Sequence, residues 1–66
     1  MPEFKEQLIR IRLLRGWTQD DLAKNSGLHP AAVSHFERGR RKPSMHNLIR
    51  LADALNCTCD YFYGKE

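Results

Sequence analysis

This 66-residue chain contains no hydrophobic run approaching the ~20 residues that a membrane-crossing helix needs, so no helical membrane anchor is expected within it. It also lacks the basic, apolar, small-residue order of a secretory signal. Cysteine is scarce. Cys57 and Cys59 are the only two, and with a single residue between them they cannot staple distant parts of a fold, so reduced thiols and a cytoplasmic setting are expected. Set beside His29, His35 and His46, the pair lacks the ligand spacing of common structural zinc sites; no metal or other cofactor is expected. The chain is short for an active-site cleft and shows no nucleophile with a base and an orienting third group, so catalysis is not expected. Strand-like alternation, repeats, linkers and low-complexity tracts are also missing.

What is present suits one small all-α domain over 1–66. Hydrophobic residues make up 41% of the chain, enough for a single core worth only ~3–5 kcal/mol, and such domains gain from a partner. The net charge is +3 and unevenly spread. Arg38, Arg40, Arg41 and Lys42 fall within five residues that hold no acid, whereas residues 53–66 carry more acid than base. A basic cluster of this kind suits a polyanionic partner.

Apolar spacing and end signals divide the chain into five short helices, near 3–15, 18–25, 30–38, 45–55 and 59–63. Phe4, Leu8, Ile11 and either Leu14 or Arg15 mark the inner face of the first. Thr18 with Asp21 forms a capping-box pattern for the second, which Gly27 ends. Pro30 fits the first turn of the third, although His29 is a poor N-cap by intrinsic preference. Val33 and Phe36 face the core there, leaving Ala31, Ser34, His35 and Arg38 outside. Ser44 caps the fourth helix, whose buried face is Leu48, Leu51, Ala52 and Leu55. Asn56 is a left-handed stop, and Thr58 and Gly64 bracket the last helix. Trp17 and Phe62 are expected to pack on the core. Tyr61 and Tyr63 are candidates for a subunit contact.

Two short helices joined by a glycine-containing turn, Thr18–Asn25 and His29–Arg38 around Ser26-Gly27-Leu28, form a helix-turn-helix pattern. The chain resembles the XRE-like family of phage lambda repressor and Cro type. The matching residues are Arg12–Gly16, Thr18–Ala23, Gly27-Leu28, Val33-Ser34, Phe36–Ser44 and Leu48–Leu55, with no gap needed. The resemblance implies a compact five-helix lambda-repressor-like domain that binds double-stranded DNA, with the third helix in the major groove and the second crossing the backbone. It implies a transcriptional regulator, a repressor acting as a homodimer on a near-palindromic operator, in the nucleoid of a prokaryote or phage. A regulatory protein partner is also compatible with the pattern.

Carried over residue by residue, the resemblance places His29, Pro30, Ala31, Ser34 and His35 at base-contacting positions. It places Gln19, Arg38, Arg40, Arg41 and Lys42 at phosphate-contacting positions. Arg12 and Glu37 match a pair that forms a salt bridge between the first and third helices. The chain departs from the commoner pattern at His29-Pro30-Ala31, where hydrogen-bonding side chains are few. Base selection is therefore expected to lean on Ser34, His35, apolar contacts and DNA shape. The alternative reading is an antitoxin or adaptor-type protein-interaction module on the same fold.

Overall fold

Four α-helices and a terminal 3₁₀ helix follow one another: α1 (Phe4–Leu14), α2 (Gln19–Ser26), α3 (Pro30–Glu37), α4 (Met45–Leu55) and the 3₁₀ helix Cys59–Tyr63. This computed structural model describes residues 3–64; the ends of the 1–66 span, residues 1–2 and 65–66, lie outside the described residues. No strand occurs among the described residues. The last helix is 3₁₀ rather than α. It has five residues between the Thr58 N-cap and left-handed Gly64, too few for a ladder of i→i−4 bonds. The Tyr61 N–H donates to Thr58 O at 3.2 Å and the Gly64 N–H to Tyr61 O at 3.1 Å.

Local chemistry sets the helix boundaries. At the start of α2 the Asp21 N–H donates to Thr18 Oγ1 at 3.0 Å, and the Thr18 N–H donates back to Asp21 Oδ2 at 2.9 Å. Two orphan donors of the first turn are satisfied reciprocally. The Thr18 backbone N–H, then the Thr18 side chain, hold the Asp21 carboxyl below its ordinary range. Gly27 ends α2 at φ 73°, a conformation that costs other residues a Cβ clash. Asn56 ends α4 in the same region, at φ 54°. At α3 the weak cap works: His29 Nδ1 accepts the Ala31 N–H at 3.1 Å.

Eleven hydrophobic residues form the core: Leu8 and Ile11 from α1, Leu22 and Ala23 from α2, Val33 and Phe36 from α3, Leu48, Leu51, Ala52 and Leu55 from α4, and Phe62. Trp17, Cys57, Cys59 and Tyr61 pack against it half-buried. Phe62 is fully buried and closes the open end, its ring 5.2 Å from that of Phe4. The inner face of α1 stops at Ile11. Leu14, offered by the sequence pattern as a core residue, is 68% exposed. It lies on the last turn of α1, whose packing partners are α3 and the 3₁₀ helix. Arg15, the other candidate, is exposed and reaches across instead, donating from Nε to Leu55 O at 2.9 Å and from Nη2 to Asn56 O at 3.4 Å. Its charge thereby meets the carbonyl end of α4.

α2 packs on both α3 and α4, and Ala23 is 1% exposed within that junction. A small side chain lets the helices approach closely. Ala23→Leu is expected to overpack the junction and destabilise the domain by ~1–3 kcal/mol, read as a lowered midpoint in urea with an unchanged slope.

Candidate nucleic-acid interface

The α2–α3 unit is held from two sides. From α1, Arg12 reaches Glu37 at the end of α3 in a fork: Nε donates to Oε2 at 2.6 Å and Nη2 to Oε1 at 3.0 Å. The two side chains are 12% and 4% exposed. Arg12 Nη1 also donates to Trp17 O at 2.7 Å, which pins the α1–α2 connection. Glu37 Oε1 accepts a further bond from Gln19 Nε2 at 3.0 Å. From α4, Arg50 Nη1 donates to Gly27 O at 3.4 Å, and its Nε donates to His46 Nε2 at 3.1 Å. No buried side-chain polar atom lacks a partner among the described residues.

Gln19 therefore sits at the first turn of α2 with its amide oriented by Glu37. A carboxylate only accepts, so the amide must turn an N–H inward. Its carbonyl oxygen and second N–H remain for an outside group. This link between a candidate phosphate contact and the salt bridge has no signature in the sequence, because Gln19 and Glu37 lie 18 residues apart.

α3 is divided sharply. Val33, Phe36 and Glu37 are buried, whereas His29, Pro30 and Ala31 are exposed, and Ser34 and His35 are half-buried. With Nδ1 of His29 taken up by the cap hydrogen bond, Nε2 is the ring nitrogen left to face outward. The start of α3 thus offers one ring nitrogen, the Pro30 ring and the Ala31 methyl. Ser34 and His35 supply the other polar groups of this face.

The basic run leaves α3 through a Schellman turn. The Gly39 N–H donates to Phe36 O at 3.2 Å and the Arg40 N–H to His35 O at 3.0 Å, with Gly39 at φ 73°. The last carbonyls of α3 are satisfied, and the direction of the following loop is fixed. Arg38, Arg40, Arg41 and Lys42 are all exposed. None forms a side-chain hydrogen bond or ion pair among the described residues. Four cations are left to an outside anion.

Tyr61 and Tyr63 differ. Tyr61 is half-buried, edge-on to Phe62 at 5.8 Å, and its carbonyl accepts from Gln7 Nε2 at 3.1 Å. Tyr63 is 44% exposed, 6.4 Å from Phe4. Among the described residues no group of three or more His, Cys, Asp or Glu stands together as a metal site. No helix among them is long and apolar enough to cross a membrane.

A helix-turn-helix family profile matches residues 8–62, nearly the whole described chain. The chain belongs to the XRE-type helix-turn-helix family. This is a family of DNA-binding transcriptional regulators and not of enzymes. The HTH-type transcriptional regulator AnsR of Bacillus subtilis is 31% identical over 61 residues, 92% of this chain and 53% of that protein. Antitoxin HipB of Escherichia coli is 32% identical over 53 residues, 76% of this chain and 56% of that protein. The chain thus spans about half the length of the curated relatives it matches. Among solved structures, the P22 c2 repressor protein in complex with a synthetic operator superposes with a TM-score of 0.88 and 31% identity, covering 94% of each chain. The family's helix-turn-helix corresponds here to α2, the Gly27 turn and α3.

Proposed function

We propose that this protein is a sequence-specific double-stranded-DNA-binding regulator, a repressor that acts by occupying an operator as a homodimer. The observation that carries this reading is the division of α3: its inner face is locked by Val33, Phe36 and the Arg12–Glu37 fork, while its outer face runs into four cations without partners among the described residues. In the proposed complex α3 enters the major groove and α2 crosses the backbone. Ala31, Ser34, His35, His29 and Pro30 meet base edges. Gln19, Arg38, Arg40, Arg41 and Lys42 take phosphates, supplying affinity without sequence information.

A homodimer reads two half-sites ~34 Å apart along the duplex. Tyr63, exposed at the end of the chain's last helix, and Tyr61 are the proposed contact. Linking dimerisation to binding makes occupancy steep in concentration. A repressor working this way obstructs polymerase by its presence at a promoter.

Selection of binding sites from random duplexes tests the reading. The expected outcome is a near-palindrome with half-sites one helical turn apart. His35→Ala should then alter preference at one or two base pairs, by ~1–3 kcal/mol, and leave the rest of the selected site unchanged. Enrichment of no sequence would contradict a specific regulator.

A second reading, an antitoxin or adaptor that masks a protein partner, is favoured by the likeness to Antitoxin HipB. The two readings separate on salt. Duplex binding through the basic run must weaken steeply as salt rises, and failure to do so leaves only the protein partner.

A further inference from the structure

Beyond the α2–α3 unit, a concavity of about 470 Å³ lies between the start of α1, the loop after α3 and the end of the last helix. Its walls carry Lys5, Arg41 and Lys42 together with Phe4, Pro43 and Tyr63. Glu3 is the one carboxylate on its lining among the described residues, 3.7 Å from the Lys5 ammonium and 64% exposed along its side chain. The other cations have no ion-pair partner among the described residues.

We propose that this concavity is a phosphate subsite for the DNA backbone, with Lys5 as a contact that extends the basic run onto α1. The inference rests on the DNA-binding reading. Lys5 is brought there by Gly39. A Cβ at Gly39 would stand 3.0 Å from Lys5 Cδ and 3.5 Å from Nζ, so the lysine stem lies across the bare glycine backbone. The left-handed turn that frees the loop from α3 therefore also makes the bed for a lysine 34 positions earlier in the chain. Its ammonium joins the Arg41 guanidinium and the Lys42 ammonium around one hollow.

The lining chemistry matches a sugar–phosphate unit. Three cations with one exposed, loosely paired carboxylate suit a single phosphodiester charge. Phe4 and Pro43 offer apolar walls to a deoxyribose. Continuity favours the duplex backbone over a free anion. Arg41 and Lys42 belong both to this hollow and to the exposed run after α3. A strand gripped by that run can reach the hollow without leaving the surface.

Lys5→Met tests the subsite, because it keeps the stem on Gly39 and removes the charge. Binding to random duplex DNA is followed by fluorescence anisotropy across a chloride titration. The expected change is a loss of ~0.9 from the slope of log K against log salt, making the affinity drop from about 50 to about 200 mM about 3.5-fold smaller. Lys5→Arg should keep the wild-type slope. Arg10→Met, on the solvent side of α1 and outside the hollow, should keep it as well. Melting curves of Lys5→Met should match the wild type.

A wild-type slope in Lys5→Met overturns the subsite and leaves the proposed function standing. Wild-type binding that does not respond to salt overturns that function and the subsite with it. Inorganic phosphate at matched ionic strength is the remaining arm. It should give no stabilisation that depends on Lys5. A rise in melting temperature that Lys5→Met abolishes would make the hollow a free-phosphate site and overturn its assignment to the DNA backbone.

Discussion

Glu37→Ala should remove a large share of the domain's stability. The substitution removes three hydrogen bonds at once, two from Arg12 and one from Gln19. Replacing the pair by apolar groups would cost little. Removing one partner leaves a guanidinium that is 12% exposed without its counter-charge, and such losses cost ~3–5 kcal/mol. At roughly 0.05–0.15 kcal/mol per residue, the whole stability of a chain this size is ~3–10 kcal/mol. A drop in melting temperature of more than about 12 °C is expected, followed by circular dichroism.

The double variant Arg12→Met with Glu37→Leu should recover part of the loss, because no uncompensated charge then remains. Trp17 O and the Gln19 amide still lose a partner each, so recovery is incomplete. Glu37→Ala melting like the wild type would remove the fork as a brace for α3. Strictly additive single and double variants would show that the two side chains do not act together.

Arg40→Ala, Arg41→Ala and Lys42→Ala combined should leave the fold intact and remove much of the duplex affinity. All three side chains are exposed and without partners among the described residues, and surface changes of that kind usually stay within ~0.5 kcal/mol in stability. Their role is counted in counterions. Losing three phosphate contacts should lower the salt slope by about 2.7, so that between about 50 and about 200 mM chloride the wild type loses about 40-fold more affinity than the variant. The change should be the same for every duplex, unlike that of His35→Ala. A triple variant with the wild-type slope would place the phosphate grip elsewhere on the molecule.

Most of the fold was legible because its signals are local. Thr18 and Asp21 announce their capping box three residues apart, and Gly27, Asn56 and Gly64 stop helices where their backbones turn left-handed. The core face of α4 could be read from spacing alone. What escaped is long-range or lies at ends. Leu14 fits the helical period, but the period says nothing of where the partner elements end. His29 ranks poorly as a cap, yet a ring nitrogen can accept as a hydroxyl does. Cys59–Tyr63 has the caps of an α-helix without its length.

The candidate site was legible more unevenly. The outward set on α3 follows from which residues the core takes. The Arg12–Glu37 pair was implied only by family resemblance, since 25 residues separate the partners. Neither the bond from Gln19 to Glu37 nor the approach of Lys5 to Gly39 has a spacing that a sequence reveals. Both depend on how helices cross.

The face that docks is the central claim, and amide chemical shifts of the labelled protein during titration with a selected duplex test it most directly. The largest changes should cluster at the start of α2 around Gln19, along His29–His35 and through Arg38–Lys42. The outer face of α4, with Met45 and Ile49 exposed, should remain still. Changes centred on α4 or on Leu13 and Leu14, with α3 unmoved, would contradict DNA binding through the helix-turn-helix.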